Sequence, residues 1–323
     1  MMKRIMAIIG FLTLSLMLTS CNTLTIQSCL PIYSMDTTIQ ITFYNVSDYE
    51  VHYQKIKEIY YAYDSISSDY EGNTQGNSVY DLNEKRSASV STELAELLNT
   101  AVSLMEETGG YYNPFIGRLS RLWKKAIEEK SLLTKEEIET ELKIIQNTRL
   151  KVDGNTVSLT GEGNVDLGGI AKGYATQKAK EYLDSVGVDR YLINAGNSNV
   201  VFGNKNNQDF IIALQEPYNN ANIMVIQDRN KAIGTSSGKY QNVVIDSVRY
   251  HHLINPFTGY PSNIYDNVNV MCDNSTLCDV YATALFSMDL DTAKAFAKAQ
   301  GIEIILFKDN AILYQSGGWK SYA

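Results

Sequence analysis

Asp166-Leu167-Gly168-Gly169-Ile170-Ala171-Lys172-Gly173-Tyr174 reads as a strand ending in an acid, a turn made by two glycines, and the first turn of a helix. Such a corner gathers unpaired N–H groups at a helix N-terminus beside a lysine, which suits a phosphate or pyrophosphate. It is not a Walker A loop, because no Ser or Thr follows Lys172, and GxGxxG spacing is absent. A packing corner that needs glycines for close approach accounts for the same residues equally well.

Outward from this corner, strands and helices alternate. Lys151 to Leu159 forms the clearest hairpin, two β-prone arms around Asp153-Gly154, and Asn164 to Leu167 reads as the strand leading into the corner. Further upstream, Thr37 to Tyr44 alternates as a strand, and His52 to Ser65 is a polar, Tyr-rich helix followed by a loop from Ser67 to Asn77. Thr92 to Thr108 is a helix capped by Ser91 or Thr92 and stopped by Gly109-Gly110, and Lys135 to Gln146 is a helix behind the cap Thr134. Downstream come a helix from Ile170 to Val186, a strand from Tyr191 to Asn194 and several strands up to Ile254. Helices from Thr276 to Met288 and Asp291 to Gln300 follow, then a strand from Glu303 to Lys308. This order predicts an α+β class. No compositional break divides residues 31 to 323, so a single large domain is expected.

The 323 residues carry 28 Lys+Arg against 36 Asp+Glu, a formal charge of −8, with no basic stripe to meet phosphate backbones; a nucleic-acid partner is therefore excluded. At 44% hydrophobic, 20% charged and only 5 Pro, the composition is that of a chain with a sizeable core. Four Cys without CxxC or zinc spacing argue against a disulfide scaffold or a structural zinc. At the N-terminus, Lys3 and Arg4 precede an apolar run from Ile5 to Leu18, too short for the roughly 20 residues that span a bilayer. Residues 1–20 read as a secretory signal. Its ending, Leu18-Thr19-Ser20-Cys21, resembles a lipobox, which implies lipidation of Cys21, an ordinary signal peptide with a chance Cys being the alternative; residues 21–32 are then a tether and 33–323 the folded domain.

Three further segments carry chemistry. His252-Leu253-Ile254-Asn255-Pro256-Phe257-Thr258-Gly259 runs a strand into a Pro/Gly turn, and of the adjacent pair His251 and His252 only one can face a given site; by itself His252 reads as a satisfied structural histidine. In Asp279-Val280-Tyr281-Ala282-Thr283, a carboxylate and a hydroxyl one helical turn apart suit Mg²⁺ or Ca²⁺, while Thr276 to Asp279 also reads as a capping box. Gly109-Gly110-Tyr111-Tyr112-Asn113-Pro114 sets two aromatics on a loop, either to stack on a flat heterocycle or simply to pack, since the chain has 22 Tyr.

The motifs Asp-x-Gly-Gly-Ile-Ala-Lys-Gly-Tyr, Thr235-Ser236-Ser237-Gly238, His-x-Ile-x-Pro-x-Thr-Gly and Asp-x-x-x-Thr-Ala-Leu, in this order, resemble the ApbE family of FAD:protein FMN transferases over about residues 33 to 320. That resemblance implies an α+β fold related to the tunnelling fold and Mg²⁺-dependent transfer of FMN from FAD to a Thr or Ser of an acceptor protein, with AMP released. It also implies an extracytoplasmic, lipid-anchored location, with a membrane or extracytoplasmic electron-transfer protein as acceptor. Asp279, Thr283 and the Gly169 carbonyl become metal ligands, and His252 takes the catalytic position. Met35 at the start of the first strand, Tyr70, Tyr111, Tyr112, Asn113, Asp166 and Lys172 become FAD contacts. Two departures stand out: Gly196-Asn197 replaces paired glycines, and Ser67-Ser68-Asp69-Tyr70 precedes a longer loop. An FAD pyrophosphatase, or a flavin-binding lipoprotein without catalysis, would use the same pocket.

Overall fold

Along Lys231–Ser237, Asn267–Cys272 and Glu303–Lys308, successive side chains enter two separate apolar cores. Ala232, Val268, Val270, Ile304 and Leu306 enter one; Ile233, Met271 and Ile305 enter the other. Alternate residues of a strand point to opposite faces, so a sheet covered on both sides buries side chains at successive positions. Glu303–Lys308 accordingly carries the continuous apolar run Ile304-Ile305-Leu306-Phe307.

The computed structural model describes residues 24–70, 77–205, 208–215, 222–239, 241–309 and 311–320. In chain order they form β1 (Ile26–Ser28), β2 (Ile32–Ser34), β3 (Thr37–Tyr44), α1 (Tyr49–Ser67), α2 (Val79–Lys85), β4 (Ser87–Ser89), α3 (Thr92–Glu107), α4 (Gly117–Glu129) and α5 (Lys135–Asn147). Then come β5 (Arg149–Asp153), β6 (Thr156–Thr160), α6 (Ala171–Ser185), β7 (Tyr191–Ala195), β8 (Asn199–Phe202), β9 (Phe210–Gln215), β10 (Asn222–Asp228), β11 (Lys231–Ser237), β12 (Asn242–Ile245) and β13 (Val248–His251). The chain closes with β14 (Asn267–Cys272), α7 (Ser275–Leu285), α8 (Leu290–Gln300), β15 (Glu303–Lys308) and β16 (Ala311–Gln315).

The main sheet has nine strands in the order β1-β3-β7-β8-β11-β14-β15-β16, with β2 also on β3, and every pairing is antiparallel. Helices α6 and α7 pack on one face and on each other, and α1 packs on α6. The opposite face is closed by the β9–β10 hairpin through Phe210, Leu214 and Ile226, joined by Trp319. Each such fully buried side chain contributes about 1.5–3 kcal/mol. At Gly234 of β11 an added Cβ would stand 2.2 Å from the Cys278 carbonyl oxygen, so glycine lets α7 lie directly on the sheet.

The α+β class and the order of elements agree with the sequence reading, with five differences. Ile26–Ser28 and Ile32–Ser34, from within or beside the expected tether, pair with β3, and Ile32 is buried. Met35 does not start a strand; with Asp36 it forms the two-residue β2–β3 turn, both at positive φ (53° and 56°). Asn164 to Leu167 is not a strand: Asn164 makes one bridge to Ile116, and the buried Asn83 side chain accepts from the Val165 N–H (2.7 Å) and donates to its carbonyl (2.9 Å). A side-chain amide stands there in place of a neighbouring strand. Helices α2 and α4 were not expected; α4 starts behind Ile116, which makes no capping bond, and ends at Lys130 in the left-handed region, so neither end carries a sequence signal. Finally, the N-cap of α7 is Asn274, whose Oδ1 accepts from Leu277 N–H at 3.1 Å, which overturns the capping-box reading of Thr276 and Asp279.

Candidate active site

Helix α6 begins at the glycine corner with Ile170 as its N-cap, a residue with no side chain able to cap it. The missing acceptor comes from the neighbouring helix: Asp279 Oδ2 accepts from Gly173 N–H at 2.8 Å. Helices α6 and α7 meet this closely because position 173 has no side chain; a Cβ there would lie 2.4 Å from Asp279 Cβ and 2.6 Å from the Ser275 carbonyl oxygen. Asp279 is buried, and burial raises its carboxyl pKa above the ordinary value, opposed by the nearby Lys172 ammonium. Asn199, fully buried on β8, lies within electrostatic reach of this carboxylate, yet neither amide atom makes a hydrogen bond among the described residues.

One turn along α7, the Thr283 hydroxyl donates to the Asp279 carbonyl (3.2 Å) and faces Gly169: a Cβ at 169 would sit 3.5 Å from Thr283 Oγ1 and 3.2 Å from Tyr112 Cε2. The Tyr112 hydroxyl is buried with no hydrogen-bond partner among the described residues. Burial, then the charges of Asp166 and Asp279, push its pKa well up, so it stays a neutral phenol between two carboxylates. Asp166 shapes the turn itself, accepting from Gly168 N–H at 2.7 Å. Asp166, Gly169, Lys172, Asp279, Thr283 and Tyr112 are thus brought together.

The adjacent histidines divide as strand geometry requires. His251 is buried; its Nε2 lies 2.9 Å from the Ser262 carbonyl and its Nδ1 accepts from Leu253 N–H at 3.1 Å. A carbonyl only accepts and an amide N–H only donates, so these partners fix the neutral Nε2–H tautomer. Burial first, and the neighbouring His252 next, lower its pKa to about 4. His252 is exposed just past β13. Its segment is tied to the site at two points. Phe257 meets Tyr111 edge to face at 4.9 Å, beside Tyr112, and His251 meets Phe286, three residues beyond Thr283, at 5.5 Å.

The remaining expected contacts are spread around a rim. Tyr70 is half exposed; Lys124 of α4 donates to its hydroxyl at 2.8 Å, and the same ammonium feels Asp36 of the Met35 turn. Asp69, paired with Arg121 of α4, in turn feels Asp166, so the rim is continuous with the corner. Asn113 shapes the loop after the tyrosines, its Oδ1 accepting from Phe115 N–H (2.9 Å). Where paired glycines were expected, Asn197 adopts φ 59°, its N–H held by Asn194 Oδ1, so an asparagine fills the left-handed position. Sequence reasoning missed Asn199, for which no local signal exists, and the cations of α4. The i, i+4, i+7 stripe Leu119, Trp123, Ala126 was a legible sign of that helix. Trp123 anchors the histidine segment, donating to the Gly259 carbonyl at 2.8 Å and stacking on Tyr250.

The ApbE family model matches residues 35–306. This chain belongs to the ApbE family. A similar protein from Vibrio cholerae, named FAD:protein FMN transferase, is 31% identical over 242 residues, covering 72% of this chain and 71% of that one. Another of that name, from Treponema pallidum, is 25% identical over 250 residues, 71% and 69% of the two chains. The crystal structure of the ApbE protein of Thermotoga maritima matches with a TM-score of 0.81 at 25% identity, over 90% of this chain and 97% of that one.

For an ApbE-family chain, the donor set at the corner fits Mg²⁺. Asp279 is a buried carboxylate with one oxygen committed to an N–H, and the Thr283 hydroxyl one helical turn on faces Gly169. No group of three or more His, Cys, Asp or Glu suited to a metal occurs among the described residues. One carboxylate and a hydroxyl make a weak cage by themselves. That matches Mg²⁺, which keeps waters and shares substrate phosphates, better than an ion held in an all-protein site.

Proposed function

We propose that this chain transfers the FMN half of FAD to a Thr or Ser hydroxyl of an acceptor protein and releases AMP. The observation that carries the reading is the meeting of Asp279, Thr283, Gly169 and Lys172 at the N-terminus of α6, where one buried carboxylate, a hydroxyl, a lysine and a helix dipole converge. Asp279, Thr283 and the Gly169 carbonyl hold Mg²⁺, which when bound neutralises charge on the pyrophosphate. Lys172 and the α6 N-terminus orient the phosphates, and Tyr111, Tyr112 and Met35 border the flavin half, with Tyr70 on the rim. His252 takes the proton from the acceptor hydroxyl as its oxygen bonds to the FMN phosphorus and the bond to the AMP oxygen breaks. His251, held neutral, fixes the backbone that presents His252.

The proposal extends to location: residues 1–20 act as a lipoprotein signal, and lipid on Cys21 tethers the chain at the extracytoplasmic face, near a membrane or extracytoplasmic electron-transfer acceptor. Cys21 and the signal lie outside the described residues. No helix among the described residues is long and apolar enough to cross a membrane.

The test is mass spectrometry of acceptor fragments incubated with the protein, FAD and Mg²⁺. One FMN added to a Thr or Ser, with equimolar AMP, supports transfer. His252→Ala should lose about 10²–10⁴-fold in rate while still binding FAD. Free FMN and AMP with no adduct on any acceptor would replace transfer by FAD hydrolysis; FAD binding with no AMP would leave only a flavin-binding protein.

A further inference from the structure

We propose that Cys272 and Cys278 are the site of an intramolecular disulfide that staples β14 to α7. The two thiols are free, and their sulfurs stand 2.7 Å apart across the corner where the strand ends and the helix begins. A covalent S–S bond is about 2.05 Å, so closure asks for less than an ångström of sulfur movement. The backbone at both positions is held in regular structure. Cys272 is the last residue of β14, paired with Ala232 of β11, and Cys278 lies in the first turns of α7 behind the Asn274 cap.

Access differs between the two sulfurs in the way exchange requires. Cys272 is half-buried and lines a cleft of about 430 Å³ with Lys231, Met271, Asp273 and Leu277, whereas Cys278 is buried behind it. A disulfide oxidant therefore meets Cys272 first. The Cys272 thiolate attacks one oxidant sulfur, forming a mixed disulfide and releasing the other sulfur as a thiol. Cys278 then attacks Cys272 Sγ and expels the second oxidant sulfur. Two protein thiols are oxidised, one oxidant disulfide is reduced to two thiols, and the two protons pass to the released sulfurs. Cys29 cannot compete. It extends β1, with β3, β7, β8 and β11 between it and β14, a separation of roughly 24 Å at about 4.8 Å per strand. The staple would hold α7, the helix of Asp279 and Thr283, to the sheet independently of any bound metal.

The experiment uses the full chain carrying Cys21→Ser and Cys29→Ser, so that only the two thiols remain. Equilibration with oxidised glutathione should abolish both titratable thiols, lower the mass by two hydrogens, leave no glutathione attached, and yield a proteolytic fragment cross-linked between positions 272 and 278; dithiothreitol should restore both thiols. Adding Cys278→Ala should stop the reaction at one glutathione adduct on Cys272. Should that variant fail to fold, Cys272→Ala should leave Cys278 unreacted in the folded chain. Oxidation should raise the thermal midpoint by several degrees. Two thiols that still titrate after equilibration, or a lasting glutathione adduct on Cys272 beside a free Cys278, would overturn the pairing, and an unchanged or lowered midpoint would overturn the staple.

Discussion

Asp279 is where charge, burial and packing compete. Its raised pKa means that, without metal, ionising this carboxylate costs stability: the contribution present at low pH is lost as the pH rises through the folded value. In our proposal Mg²⁺ reverses that balance by preferring the ionised form, so at neutral pH added Mg²⁺ at about 100 times its Kd should stabilise the chain by about 2.7 kcal/mol. The gain should vanish as the pH falls toward the raised carboxylate value, where protons compete. Asp279→Asn keeps an oxygen for Gly173 N–H and removes only the charge, and should show no Mg²⁺-dependent rise in thermal midpoint. An equal rise in that variant would sink the metal role. His251 behaves oppositely. The unfolded imidazole accepts a proton near 6.5 and the folded one only near 4, so stability should fall by up to about 3 kcal/mol as the pH drops through that window and be independent of this group above it. Denaturant midpoints from about pH 7 to about pH 4.5 should follow this slope in the natural chain and lose most of it in His251→Gln.

At the scale of elements, the site is the crossing of α6 over α7, and its closeness rests on Gly173. Glycine to alanine inside a helix ordinarily gains about 0.5–1 kcal/mol. Here the new Cβ would meet Asp279 Cβ and the Ser275 carbonyl, each well inside contact distance, and one of the two is backbone that cannot step aside. Overpacking of this kind costs about 1–3 kcal/mol, so the net effect should be destabilising, against propensity. Gly173→Ala should lower the urea midpoint and also weaken Mg²⁺ binding, because the helices separate at the carboxylate. A stabilised variant with unchanged Mg²⁺ affinity would show that the crossing is looser than described. Helix α4 matters in a different way: through Trp123 it holds the segment ending at Gly259, and through Arg121 and Lys124 it holds Asp69 and Tyr70.

Taken whole, the molecule is a sheet covered on both faces, preceded by a segment that addresses it to a membrane in our proposal. Cys21→Ser should release the chain from the membrane fraction or leave it unprocessed, read by fractionation and by the mass of the N-terminal fragment; unchanged fractionation with no mass difference would refute lipidation. Sequence by itself determined the α+β class, the β5–β6 hairpin, the bounds of α3, α5 and β15 to within a residue or so, and the glycine corner. These features depend on local rules: caps such as Ser91 and Thr134, stops such as Gly109, and apolar period. It also supplied the candidate residues one at a time, each with a bland alternative. Only the tertiary structure removed the cap reading of Asp279 and the strand reading of Asn164 to Leu167. Asp279 lies in the early turns of α7, where either a cap or a ligand is locally sensible, and the contact with Gly173, 106 positions earlier in the chain, shows it serving α6 rather than capping its own helix. Likewise Val165 is held by Asn83 rather than by a strand, and Asn199 faces Asp279 without any pattern around it to say so. The physical reason is common to all three. Caps and periodicity are set by residues within a turn or two of one another, whereas burial of a carboxylate, pairing of a lone backbone segment and the meeting of two helices are set by residues that only folding brings into contact.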